Sequence, residues 1–81
     1  MEDTQLIARI GELVDEEHQL EAELASSETA DPAVQRRVAD LEVALDQCWD
    51  LLRQRRARRQ AGADPDDASV RDAGTVEGYR Q

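Results

Sequence analysis

The chain has 81 residues and a formal net charge of −9, and it contains no phenylalanine and only two aromatic residues, Trp49 and Tyr79. A chain of this size forms one small domain with little buried surface, and this composition suits solvated helices better than a sheet core. The charge argues against nucleic acid as a partner, because a protein that mainly binds nucleic acid normally carries the opposite sign.

The first predicted helix covers residues 3–26. Its apolar residues follow the alternating four- and three-residue spacing of an amphipathic helix, and Glu17 fills the one position without an apolar side chain. The apolar members are Leu6, Ile10, Leu13, Leu20 and Leu24. Residues 1–31 hold ten acidic residues against Arg9 alone. This helix is therefore strongly negative.

A turn at residues 27–31 separates this helix from a second one, predicted for residues 32–60. Asp31 suits an N-cap, Pro32 fits the first helical position, and Gly62 is a natural stop. The apolar spacing runs through this helix without interruption. Its members are Val34, Val38, Leu41, Leu45, Cys48 and Leu52.

Two helices joined by a short turn pack as antiparallel neighbours. Pairing residues whose numbers sum to about 58 aligns the two apolar stripes over their whole length. Leu24 then faces Val34 at one end and Leu6 faces Leu52 at the other. The sequence therefore predicts an all-α fold in which residues 1–61 form an antiparallel, coiled-coil-like hairpin.

Residues 62–81 show no helical stripe and include Gly, Pro and three Asp within the first six positions. They are predicted to form an acidic tail that is extended or disordered. Val70, Val76 and Tyr79 are its only sizeable apolar residues. These side chains are the ones able to pin the tail onto the helices.

A two-helix hairpin leaves apolar side chains uncovered on its flanks. Ile7, Val14 and Trp49 lie on one flank, and Leu51 lies on the other. An isolated hairpin of this kind should be only marginally stable, and twofold homodimers are the commonest oligomers. The sequence therefore predicts a homodimer, a four-helix bundle, that forms through the Trp49 flank or the Leu51 flank.

Five arginines lie within seven positions at the end of the second helix. In the predicted register Arg55 and Arg56 lie beside Glu2 and Asp3, so one interpretation is neutralisation of the acidic first helix. The other is docking of an acidic partner or of phosphates, which the arginine fork binds well. The candidate docking residues are Arg55, Arg56, Arg58 and Arg59, of which the last two overhang the partner helix.

Few residues suggest chemistry. Asp15, His18 and Glu21 have the spacing with which helical bundles bind metals, but Asp15 and His18 fall on the outward face. Cys48 lies on the inner stripe, and His18 is roughly 12 Å farther along the hairpin at the rise of a helix, too far to activate the thiol. We therefore predict no enzyme and assign no catalytic, cofactor-binding or metal-binding residue.

The single cysteine excludes an intrachain disulfide. The sequence lacks the pattern of a secretory signal and any apolar run of membrane-spanning length. We therefore expect a cytoplasmic protein with no membrane association.

Three segments resemble a known family. The longest is the run from Leu41 through Trp49 to Ala57, and the other two are residues 13–18 and 76–81. Together they resemble a family of small actinobacterial proteins known only as a domain of unknown function, DUF2630. The resemblance covers nearly the whole chain. It implies no activity, cofactor or partner, but it implies that the tail belongs to the fold, with Tyr79 docked on the helices.

The functional prediction is a non-enzymatic structural or interaction protein that associates with itself. One alternative is a regulatory binder that docks on a larger machine of transcription or translation through its arginines or its acidic face. A second alternative is a metal-binding helical bundle.

Overall fold

The computed structural model of the chain describes residues 2–26 and 31–78. It contains the helices α1 (Asp3–Ser26), α2 (Pro32–Gln60) and α3 (Ala73–Gly78), with a single 3₁₀ turn at Pro65–Asp67 between the last two. Every regular element in the described ranges is helical, which confirms the predicted all-α fold. Most of the predicted turn, including Glu28, and Tyr79 lie outside the described residues.

α1 and α2 pack side by side in opposite directions. Asp3 at the start of α1 contacts Arg55 near the end of α2, and Glu16 binds Arg37 closer to the turn. At the start of α2, the Asp31 side chain accepts a hydrogen bond of 2.9 Å from the backbone N–H of Ala33, as an N-cap does.

α2 ends at a glycine in the left-handed conformation. Gly62 has a φ of 75°, and the next residue, Ala63, donates its N–H to the carbonyl of Arg58 at 2.8 Å. This arrangement satisfies carbonyl groups that the last turn of a helix leaves without a partner, and glycine adopts it without steric cost. The chain can therefore turn back along α2.

The core occupies only one end of the hairpin. Its buried side chains are Leu6, Ile10 and Leu13 of α1 and Leu41, Leu45, Leu51 and Leu52 of α2. Towards the turn, the stripe residues Leu20, Leu24, Val34 and Val38 are only partly buried. Two helices alone cannot enclose an apolar seam, and the buried end is the one that the returning tail also covers.

The tail differs from the extended or disordered segment predicted for residues 62–81. Its described part runs back along α2, where Gln54 donates to the carbonyl of Ser69 at 2.8 Å and Gln47 donates to the carbonyl of Arg71 at 3.2 Å. Val76 is only 3% exposed. The α2 side chains thus satisfy polar groups of the tail backbone, which allows an irregular segment to pack closely.

The tail changes the predicted interface. Leu51, predicted to lie on an open flank, is 7% exposed and belongs to the core. Ala68 of the tail packs against the same core, whereas Val70 beside it stays exposed. Leu51 itself is therefore covered within the chain by its own tail, although it still lines a cavity of about 220 Å³ beside Val70, whereas Trp49 on the other flank stays exposed.

Within the described ranges, the helices lack an apolar stretch sufficient to span a bilayer.

Candidate functional site

Arg55 ties three elements together in the interior. The residue is 6% exposed, and its Nε donates to Oδ1 of Asp3 at 2.6 Å. Its Nη1 donates to Oδ1 of Asp66 at 2.9 Å and to the carbonyl of Pro65 at 3.3 Å. The guanidinium therefore links the start of α1, the end of α2 and the 3₁₀ turn of the tail.

The arrangement corrects the predicted roles of the arginines. Arg55 and Arg59, not Arg55 and Arg56, bind Asp3, one on each carboxylate oxygen. Residues four apart share a helix face, whereas adjacent residues diverge by about 100°. Arg55 and Arg59 are thus both paired with Asp3 within the chain, although Arg59 lies at the surface, and Arg56 is exposed without such a pair among the described residues.

Three arginines of the run remain without an ion-pair partner within residues 2–26 and 31–78. Arg53 and Arg56 are exposed, and Arg58 is half-buried. Of the predicted docking residues, Arg56 and Arg58 are therefore the ones still available to another molecule.

Hydrogen bonds from the arginines favour the ionised form of both aspartates. The bond from Arg55, followed by the bond from Arg59, lowers the pKa of Asp3, and the bond from Arg55 lowers the pKa of Asp66. A carboxyl whose pKa is lower in the folded state than in the unfolded state stabilises the fold above its unfolded pKa. This contribution is lost as the pH falls through the folded pKa.

We expect Asp3→Asn to be less stable than the wild type at neutral pH and to approach it in acid. The difference should begin to shrink as the pH falls below about 4, near the pKa of an unfolded aspartate, because the unfolded wild-type chain then takes up a proton at this position. It should be lost once the pH lies below the lowered pKa of Asp3 in the folded protein. Urea unfolding of both proteins at several pH values measures it. The comparison cancels the general self-repulsion of the acidic chain, and a difference independent of pH would contradict the prediction.

A second buried polar cluster lies under the tail. Asp50 is buried, accepts a hydrogen bond of 2.9 Å from Gln54 and lies 3.4 Å from Nε of Arg71. The sequence did not predict this cluster, because Asp50 resembles an ordinary exposed residue of α2. The ordered tail did have a signal, since Asp64 precedes Pro65 and caps the 3₁₀ turn as Asp31 caps α2.

The open side of the hairpin is a groove between α1 and α2 that is bordered by an exposed tryptophan. Trp49 is 45% exposed and Ile7 is 51% exposed, while Val14 is half-buried. The groove has a volume of about 630 Å³, and its lining residues are Val14, Glu17, His18, Glu42, Leu45, Asp46 and Trp49. Ile7 lies two helical turns before Val14 on α1, and Arg56 lies two turns after Trp49 on α2. We call the groove together with Ile7 and Arg56 the Trp49 face.

One end of the Trp49 face is acidic. Glu17, Glu21 and Glu42 bring carboxylate oxygens within 4.8 Å of one another. Such oxygens are ligands for hard cations, but solvent reaches all three side chains, and exposed acidic groups commonly occur without a metal. Asp15 and His18, which the sequence grouped with Glu21 as metal ligands, are not part of this cluster.

The thiol and the imidazole lie apart. Cys48 is half-buried, and burial raises the pKa of its thiol. It lines a cavity of about 220 Å³ with Leu6 and Leu13, whereas His18 lines the Trp49 groove. The geometry therefore does not pair this nucleophile with a base.

Known proteins resemble this chain over nearly its whole length. The sequence model of a family described as "Protein of unknown function (DUF2630)" matches residues 2–81. Two relatives, the uncharacterized protein Rv0898c of Mycobacterium tuberculosis and the uncharacterized protein Mb0922c of Mycobacterium bovis, are each 49% identical over 77 residues. Each match covers 95% of this chain and 88% of the relative. No solved structure matches significantly.

Proposed function

We propose that this chain, which belongs to the DUF2630 family, is a non-enzymatic helical interaction protein that associates with a second copy through the Trp49 face. The exposure of Trp49, at 45%, carries the proposal. Aromatic side chains are enriched at protein interfaces, and a tryptophan often contributes much of the binding energy. A second copy would supply the layer that the tail does not supply on this side.

The chemistry of the described residues supports a role without catalysis. Cys48 has a thiol pKa raised by burial and no histidine in its cavity, so the thiolate needed for attack is disfavoured. A single cysteine of this kind suits a reducing compartment. We therefore also propose a cytoplasmic location.

We expect Trp49→Ala to weaken self-association strongly, because truncating a central aromatic anchor of an interface typically costs about 2 kcal/mol or more, or roughly thirtyfold in the dissociation constant. Size-exclusion chromatography with light scattering measures the mass over a range of concentrations. Val70→Ala is the comparison variant, since Val70 is also an exposed apolar residue but lies on the other predicted flank, where it lines a cavity with Leu51. A loss of association in Val70→Ala but not in Trp49→Ala would move the interface to that flank. A wild-type protein that is a folded monomer throughout would overturn the proposed self-association.

The arginines without an ion pair among residues 2–26 and 31–78 favour a second candidate function. Arg53, Arg56 and Arg58 form this set, and Arg forks bind carboxylates and phosphates. The chain would then be a regulatory binder that docks on a larger machine. In affinity capture, replacement of these three arginines by glutamine would remove such a partner, whereas Trp49→Ala would retain it.

A further inference from the structure

We propose that the second copy binds end for end, across a twofold axis at Trp49, so that the acidic end of each Trp49 face meets the basic end of the other. This inference rests on the proposed self-association and adds its symmetry and its charge pairing. The distribution of charge along α2 carries it.

Glu42, Trp49 and Arg56 form one line along the open side of α2. Successive members are seven residues apart, which corresponds to two helical turns and about 10.5 Å along the axis. Glu42 and Arg56 are both exposed, and Arg56 has no ion-pair partner among the described residues. Trp49 is therefore flanked by opposite charges at equal distances.

A twofold axis across the hairpin at Trp49 reverses this line in the partner. Glu42 of each copy then faces Arg56 of the other, and the two Trp49 side chains meet at the axis. If the twofold axis instead ran along the hairpin, the two copies would be parallel and the acidic ends of their Trp49 faces would meet. Because Glu17 and Glu21 converge on Glu42, that arrangement would gather six carboxylates, and like charges facing each other disfavour association.

The α1 side of the face contributes apolar surface to the same interface. Ile7 of α1 is 51% exposed. An axis across the hairpin brings α1 of one copy against α1 of the other, so Ile7 would be covered in the dimer.

Charge exchange between Glu42 and Arg56 tests the arrangement. In Glu42→Arg, both pairs of the dimer become Arg with Arg, and in Arg56→Glu both become Glu with Glu. We expect each single variant to dimerise roughly tenfold more weakly than the wild type, or worse. An equimolar mixture of the two should form a heterodimer, and the double variant E42R/R56E should recover the homodimer. Analytical ultracentrifugation measures all four samples.

The outcomes separate the two proposals. A monomeric wild type overturns both. If the wild type dimerises, Trp49→Ala does not, and the charge variants behave like the wild type, self-association stands and the end-for-end arrangement fails. Circular dichroism of each variant tests folding, since both positions are exposed on a helix and their substitution should leave the helix content unchanged.

A distance measurement tests the symmetry with the interface side chains left in place. Ala39 is exposed, ten residues from Trp49, so a spin label on Ala39→Cys, in a Cys48→Ala background, would lie about 15 Å from the axis along the helix. The end-for-end dimer predicts two labels separated by about 30 Å or more. Labels lying side by side would overturn the arrangement.

Discussion

Replacement of Leu52 by alanine is expected to lower the free energy of unfolding by about 2–5 kcal/mol, the range found for removing a leucine side chain from a packed core. Leu52 is 1% exposed and belongs to the cluster that holds α1 against α2. A chain of this size has a small total stability, so the variant should be largely unfolded at ordinary temperatures. Circular dichroism without denaturant measures the folded fraction of the variant, and urea unfolding at the same protein concentration measures the stability of the wild type.

Leu24→Ala is the matched control for this prediction. It removes the same atoms from the same apolar spacing, but Leu24 lies at the turn end, where the side chain is only partly buried. Its loss should be clearly smaller, because less apolar surface returns to water and no closed cavity remains. Equal losses at the two positions would show that the core is not confined to the end that the tail covers.

The difference between these leucines marks the limit of what the apolar spacing predicted. The spacing follows from the helical repeat of each segment alone, and it correctly predicted two long helices. It treated Leu24 and Leu52 as equivalent. Their burial differs because a third segment covers one end of the hairpin, and periodicity within a helix contains no information about a segment that packs from outside.

The path of the tail depended on residues that look like ordinary surface positions. Gln47 and Gln54 hold it through bonds to backbone carbonyls, and glutamine on a helix surface does not by itself indicate such a role. Local signals did exist, since Asp64 and Pro65 repeat the capping pattern that correctly started α2 at Pro32. The composition of the segment argued for disorder, and the specific contacts with α2 outweighed it.

The sequence predicted which end of α1 the arginines would lie beside, but not which of them would pair with Asp3 or be buried. The pairing of the helix ends brought Asp3 to Arg55 as expected, because that contact follows from the aligned stripes. The burial of Arg55 could not be predicted in the same way, since it also needs Asp66 from the tail. Arg59 joined the cluster because it lies one turn beyond Arg55 on the same face.

Arg55→Ala is expected to cause the largest loss of stability of any arginine substitution in this chain. Removing one partner of a buried ionic cluster leaves the others without their compensating charge. Asp3 would keep its ion pair with Arg59, whereas Asp66 would lose the one ion pair that it makes among the described residues. Pro65 also loses its hydrogen bond from the guanidinium. Thermal unfolding measures the loss, and hydrogen exchange of residues 62–78 should show faster exchange in the tail.

Two further variants distinguish the geometry of Arg55 from its charge. Arg55→Lys keeps the charge but cannot donate from a planar fork to Asp3 and Asp66 together, so its stability should fall between those of the wild type and Arg55→Ala. Arg36→Ala removes an exposed arginine of α2 with no ion pair among the described residues, and it should change stability little. If Arg55→Ala resembled Arg36→Ala, the tail would be held by the hydrogen bonds from Gln47 and Gln54 and by the burial of its own Val76, and the guanidinium would add little stability.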